Sequence, residues 1–200
     1  GVLGILNTNW GDFGHICPFN SNLYGALFGA QKSCNVGADT GADFTLLVSE
    51  RLYGVTEFDM TETILTLCRA ESVSTWSHLL TWYNKNFNMG EPEAFTYENE
   101  KTDADALHAI DVCRTERARL KSLGRDDAVI RDLILSSEGI EILCRIALYL
   151  RKADGYSDKS ELCGIIDEWL ERYSDAWLSD DKPSGLWRIR DFLTRLTNAI

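Results

Sequence analysis

Hydrophobic residues recur every three to four positions along most of the chain, a spacing that predicts one helix after another. The exception is the beginning, where an apolar run at 2–6 predicts a buried strand and a glycine- and asparagine-rich stretch at 7–22 predicts a loop. The predicted helices are one at 23–34, three between residues 39 and 83, three at 103–123, 126–152 and 157–177, and a short one at 187–196. Only three prolines occur, so long helices can run unbroken.

Polar residues at the starts of the helical patterns are candidate N-caps, which accept hydrogen bonds from the first backbone N–H groups. The candidates are Asp39 or Thr40, Thr56 or Asp59, Ser74 or Thr75, and Ser157 or Ser160. Gly54 is placed to end the first of these helices. The stretch 84–100, rich in Asn, Glu, Gly and Pro, predicts a loop.

The acidic composition narrows the function classes. The net charge of −11 argues against binding to nucleic acid or to an anionic membrane surface, both of which need clustered Lys and Arg. No apolar run approaches the roughly 20 residues of a membrane-spanning helix. The first residues carry no basic segment ahead of their apolar run, so we interpret them as a strand of a longer protein and not as a signal peptide.

The six cysteines are widely spaced and form no CxxC pair. Four lie inside helical patterns, so we interpret them as free, mostly buried thiols, which favours a reducing, cytoplasmic location. Three disulfides in a secreted scaffold are the alternative. Nothing in the spacing predicts a zinc site, and we expect no metal and no cofactor.

The segment 5–15, ILNTNWGDFGH, is the one stretch whose residue choices exceed what packing requires. Trp10, Asp12 and His15 follow directly after the predicted strand, where loops of a parallel α/β barrel face the active site. An indole beside a carboxylate is typical of sugar binding, because the C–H face of a sugar ring stacks on the indole while the carboxylate accepts from its hydroxyl groups. The alternative is a glycine-rich turn in which Trp10 packs in the core and Asp12 caps its own backbone.

Three segments carry a resemblance to a known family. GVLGILNTNWGDFGHICPFNSNLYGALFGAQKSCN resembles the last strand, loop and helix of the barrel in glycoside hydrolase family 20, the β-N-acetylhexosaminidases. GADFTLLVSERLYG is similar to that family's entry to its C-terminal helices, and WLSDDKPSGLWRIRDFL to its terminal turn and helix. The resemblance implies that 1–35 end a catalytic (β/α)8 barrel and that 36–200 form a C-terminal helical domain. The expected fold class is therefore mainly α, with a β-loop-α remnant of a TIM barrel in front.

The resemblance also implies roles for the loop residues. Trp10 is expected to stack on the terminal sugar and Asp12 to bind its outer hydroxyls, while His15 supports the loop. The family more often has Glu where this chain has Asp12, and the shorter side chain reaches less far. The expected partners are the remainder of the barrel and a carbohydrate substrate.

The catalytic pair of that family is missing from this chain. The family cleaves by substrate assistance, in which an Asp orients the acetamido group and an adjacent Glu protonates the leaving oxygen. Both stand on an earlier barrel strand, so the resemblance implies a fragment that is inactive alone. The pair Asp167 and Glu168 lies in a helical pattern, where neighbours differ by roughly 100° in direction, and predicts a solvated face.

Other features have plainer interpretations, and two other function classes stay open. We expect His78 and His108 to be ordinary surface or core histidines, and the basic residues between 114 and 125 to form a solvated face. Core or inter-domain packing is expected for Trp76, Trp82, Trp169, Trp177 and Trp187. A non-enzymatic helical interaction or scaffold module is the main alternative function, and a metal-dependent helical enzyme is disfavoured by the lack of ligand spacing.

Overall fold

The structure, a computed structural model, describes residues 16–18, 22–35, 37, 41–180 and 183–200 and is mainly helical. Its α-helices are α1 (Leu23–Cys34), α2 (Ala42–Tyr53), α3 (Met60–Glu71), α4 (Trp76–Tyr83), α5 (Asp103–Ser122), α6 (Ala128–Leu150), α7 (Lys159–Asp180) and α8 (Leu186–Ala199). This confirms the mainly α fold class. The predicted strand at 2–6 lies outside the described residues, which contain no strand of their own.

Side-chain caps select between the alternative helix starts. Asp59 begins α3 by accepting hydrogen bonds from the backbone N–H groups of Thr61 (2.9 Å) and Glu62 (3.3 Å). Thr75 begins α4, and Gly54 ends α2 in the left-handed conformation (φ 62°) that glycine adopts without strain. The predicted start of α7 at Ser157 or Ser160 was wrong, because Asp158 accepts from the Glu161 N–H (3.1 Å) instead.

The predicted loop at 84–100 was wrong in its first part, where a π-helix (Asn84–Met89) continues α4. The wider turn places Phe87 against two aromatic rings, those of Trp82 (centroids 5.9 Å apart) and Tyr83 (5.0 Å). The Asn86 side chain donates to the Trp82 carbonyl at 2.9 Å and ties the π-helix to α4. The asparagine-rich composition of 84–89 is typical of a loop, but the contacts of Phe87 with Trp82 and Tyr83 stabilise a helical conformation.

Helix α6 is the centre of the fold. It is buried on most sides along its length, with α5 packed on one flank and α7 on another. The larger hydrophobic cluster joins residues of α3 to α8, and a smaller one joins α1, α2, α3 and the nearby ends of α5 and α6. The helical part therefore wraps around α6.

A buried carboxylate, Glu141 on α6, joins α5 to α6. Its oxygens accept from Arg114 (3.1 Å), Arg117 (2.7 Å) and Arg145 (3.0 Å). The side chain of Glu141 is 10% exposed and that of Arg117 16% exposed. The predicted solvated basic face was therefore wrong for Arg117, whose charge is needed between the helices.

The tryptophans divide into two groups. Trp76, Trp82 and Trp169 are buried and Trp177 packs on the core, which confirms the packing prediction for these four. Trp187 at the start of α8 is 61% exposed, so core packing was wrong for it within the described residues.

Candidate functional site

The candidate sugar-binding residues Trp10, Asp12 and His15 lie outside the described residues. The described part of the chain begins at Ile16, directly after His15, with residues 16–18. These residues lie within the predicted loop at 7–22 and show how the chain is held directly after His15.

Ile16 is 1% exposed and belongs to the larger hydrophobic cluster. It fits against α6 at Gly139, which has no side chain to block it. A Cβ at Gly139 would lie only 3.0 Å from the Ile16 Cβ and 3.1 Å from Cζ2 of Trp169. We call this seat, formed by Gly139 and Trp169 around Ile16, the Ile16 socket. Position 139 requires glycine, because Ile16 on one side and Trp169 on the other already fill the space next to its Cα.

Trp169, the α7 wall of the socket, is held in place from two directions. Its indole N–H donates to the Leu135 carbonyl on α6 at 3.0 Å. Its ring packs on Tyr173, one turn later on α7, with centroids 4.6 Å apart. Both residues are almost fully buried, so the socket is built on rigid helices.

Cys17 is the second contact of this segment with the helices. It is partly buried against the larger cluster and its thiol hydrogen-bonds with Ser136 on α6. Burial, with the nearby Glu71 carboxylate, raises the pKa of the Cys17 thiol well above its usual range. A thiol of this kind reacts slowly with thiol reagents, since only the thiolate is nucleophilic. All six cysteines carry free thiols, but the prediction of mostly buried ones was wrong for Cys34 and Cys68, which are exposed.

Helix α1, which follows the candidate loop, makes little contact with the other helices. Tyr24 is its one buried residue and packs in the smaller hydrophobic cluster. Leu27 and Phe28 are 39% and 38% exposed, and a Cβ added at Gly25 would meet no atom within 4 Å. The apolar side of α1 is therefore open within the described part of the chain.

The remaining titratable candidates fit structural roles. Asp167 and Glu168 are both exposed on α7, which confirms the predicted solvated face. His78 bonds through Nε2 to the Thr96 carbonyl (2.6 Å) and lies 3.4 Å from Glu98, so it pins the segment after the π-helix to α4. Within the described ranges, no cluster of ligating side chains could hold a metal ion. In the same ranges, none of the helices combines the length and apolar character that crossing a membrane requires.

Comparisons with known proteins add no relative. No protein-family model, no curated protein and no solved structure matches this chain.

The sequence pattern did not predict the Ile16 socket. Ile16 stands in a polar, glycine-rich stretch without periodicity, and Gly139 lies inside a strong helical pattern where glycine is unfavourable. The cost of that glycine, about 1 kcal/mol relative to alanine, is the one signal that its position has a packing purpose.

We expect Gly139→Ala to displace Ile16, because the added Cβ would lie 3.0 Å from the Ile16 Cβ and the Trp169 indole is held by the Leu135 carbonyl. The overpacking costs about 1–3 kcal/mol and favours states in which Ile16 and Cys17 have left the helices. Cys17 should therefore be labelled roughly ten- to hundred-fold faster by a disulfide reagent. Mass spectrometry locates the label, with the exposed Cys34 as an internal reference.

The matched control for this experiment is Gly164→Ala on α7, where an added Cβ meets nothing within 4 Å. This variant should leave the labelling of Cys17 unchanged and stabilise the helix by up to about 1 kcal/mol. An unchanged Cys17 rate in Gly139→Ala would show that the socket does not hold the segment.

Proposed function

We propose that this chain is the C-terminal part of an exo-acting β-N-acetylhexosaminidase related to glycoside hydrolase family 20. In this proposal the helical part holds the sugar-binding loop of a catalytic barrel formed mainly by an earlier segment. We call the longer polypeptide the parent enzyme.

The Ile16 socket is the observation that carries the proposal. A loop that binds substrate needs support from rigid elements, because a displacement of even 1 Å weakens the contacts that define the site. Ile16 and Cys17 directly follow His15 and pack against α6 and α7. This placement supports a role for the helices in fixing the loop that carries Trp10 and Asp12.

The open side of α1 supports the same proposal. In a (β/α)8 barrel, the helix after the last strand packs on the barrel and on its neighbouring helices. The exposed Leu27 and Phe28 are apolar positions that such a barrel would cover. Leu46 and Leu47 on α2, which are 54% and 51% exposed, are further apolar positions that a barrel could cover.

The proposed division of labour follows from the residues present. Trp10 stacks on the terminal sugar and Asp12 accepts hydrogen bonds from its outer hydroxyls. The carboxylate that orients the acetamido group and the acid that protonates the leaving oxygen come from the earlier barrel segment. This chain therefore contributes binding and orientation, and no proton-transfer group.

The isolated chain is accordingly expected to have no hexosaminidase activity. The measurement is release of nitrophenol from a nitrophenyl N-acetyl-β-glucosaminide, compared with a buffer blank. Turnover well above the blank that survives replacement of Asp167 and Glu168 would contradict the assignment of the chemistry to another segment.

An interaction module is the second candidate function, because the exposed apolar residues of α1 and α2 could equally contact a partner protein. The two candidates differ in what precedes the chain. If the chain is an interaction module, no barrel segment with an Asp–Glu pair precedes it. The longer polypeptide then has no hexosaminidase activity that Trp10→Ala could reduce.

A further inference from the structure

The exposed Trp187 lies at a groove of about 330 Å³ between α8 on one side and α4 with the π-helix on the other. The Arg188 guanidinium lies over the indole ring, 5.5 Å from its centroid, and Trp187 is still 61% exposed, which leaves room for a ligand on the ring. The buried rings of Tyr83 and Phe192 form the floor, with centroids 5.7 Å apart. A flat aromatic surface is therefore presented above a firmly packed base.

The opposite wall comes from the π-helix, a rare backbone conformation that is frequent at functional sites. It directs Asn84 and Asn88 to the groove, and the Asn88 amide nitrogen donates to the Asn84 side-chain oxygen at 2.7 Å. This bond orients both amides and uses only one of their acceptors and one of their donors. The remaining donors and acceptors can serve a ligand.

Helix α8 adds charged groups on the same line as the indole. Asp191 and Arg195 follow Trp187 at successive intervals of four residues and both line the groove. Arg195 Nε donates to the Asp191 carboxylate at 2.9 Å, which holds the two side chains in place. A carboxylate acceptor and a guanidinium donor thus stand beside an exposed aromatic face.

We propose that this groove binds an oligosaccharide, with one sugar ring stacked on Trp187 and its polar groups bonded to Asn84, Asn88 and Asp191. A sugar has an apolar C–H face and a rim of hydroxyls, which matches an indole bordered by amides and a carboxylate. The volume lies within the range of about 300–1,000 Å³ usual for small-molecule sites. The choice of an N-acetylated sugar as the probe rests on the proposed function.

The experiment is a calorimetric and NMR titration of this chain with the tetramer of N-acetylglucosamine. We expect saturable binding that Trp187→Ala weakens by at least about tenfold, since a stacked aromatic ring contributes around 1.4 kcal/mol or more. Trp187→Phe should restore part of the affinity because it keeps a ring. Leu178→Ala, which removes another exposed apolar side chain outside the groove, should bind like the unmodified chain.

Trp10→Ala separates this proposal from the proposed function. Because Trp10 belongs to the proposed sugar-binding loop, Trp10→Ala serves as the background for the comparison. A further loss of affinity when Trp187→Ala is added to Trp10→Ala supports the groove. Full affinity in Trp187→Ala, or no binding left in Trp10→Ala alone, overturns the groove and favours the loop as the sugar site. Absence of saturable binding up to the order of 10 mM, beyond the weak end of specific affinities, also overturns the groove. Because Trp187 is exposed, circular dichroism should show the same folding for its variants.

Discussion

Trp10→Ala and Asp12→Ala should each reduce kcat/KM of the parent enzyme by roughly ten- to several-hundred-fold without unfolding it. Loss of the carboxylate leaves sugar hydroxyls unpaired at about 1–3 kcal/mol, and loss of the indole costs a similar amount. Each 1.4 kcal/mol corresponds to a factor of ten. The measurement is steady-state hydrolysis of a chromogenic N-acetylglucosaminide, with the melting temperature recorded for every variant.

Asp167→Ala is the matched control for Asp12→Ala. It removes a carboxylate that is exposed on α7, so activity and stability should both stay near those of the unmodified enzyme. His78→Ala is a poorer control, because His78 holds the Thr96 carbonyl. If Trp10→Ala lowered only the melting temperature at unchanged specific activity, Trp10 would be a core residue and the sugar-binding role would be wrong.

Glu141→Ala should lower the free energy of unfolding of the chain by about 3–5 kcal/mol, the usual cost of breaking a buried ion pair on one side. The change leaves the largely buried guanidinium groups of Arg117 and Arg145 without their shared acceptor. Urea denaturation followed by circular dichroism measures it. Glu62→Ala is the control, since Glu62 pairs with Arg69 on the exposed surface, where such a pair contributes about 0–1 kcal/mol.

The Glu141 contribution should also depend on pH. Burial alone would raise its pKa, but hydrogen bonds and charge from Arg117, Arg145 and Arg114 outweigh it and lower the pKa below 4.5. A carboxylate with a lowered pKa in the folded state stabilises the fold above its ordinary pKa, and the stabilisation is lost as the pH falls through the lowered pKa. The gap in stability between the unmodified chain and Glu141→Gln should therefore be full at pH 7 and close in acid. A gap that stays constant down to pH 3 would exclude the charge as its cause.

Much of the helical fold follows from local signals in the sequence. Asp59, Thr75 and Gly54 cap helices where their side chain or left-handed backbone makes the needed bonds. The π-helix was missed because Asn84–Met89 is rich in asparagine, while its stability depends on Trp82 and Tyr83 in the preceding helix. Contacts between rings four and five residues apart stabilise the helix there, and composition alone does not show them.

The candidate site, too, could be predicted from the sequence only in part. Residue chemistry left two interpretations of Trp10 and Asp12 open, a sugar site or a glycine-rich turn with Trp10 in the core, and the resemblance to glycoside hydrolase family 20 favoured the first. The Ile16 socket could not be predicted, since it depends on Gly139 and Trp169 meeting across two helices. Likewise, core or inter-domain packing was predicted for Trp187. The start of α8 leaves it exposed rather than in the core, and packing against another domain stays a prediction.

Hydrolysis by the parent enzyme is the most direct test of the proposal that this chain completes the sugar site of a hexosaminidase. We expect the parent enzyme to hydrolyse a nitrophenyl N-acetyl-β-glucosaminide and this chain alone not to do so. We also expect Trp10→Ala to reduce the kcat/KM of the parent enzyme at an unchanged melting temperature. A parent polypeptide that folds but leaves the substrate intact, at enzyme concentrations where the Trp10→Ala loss would be measurable, would show that the proposal is wrong.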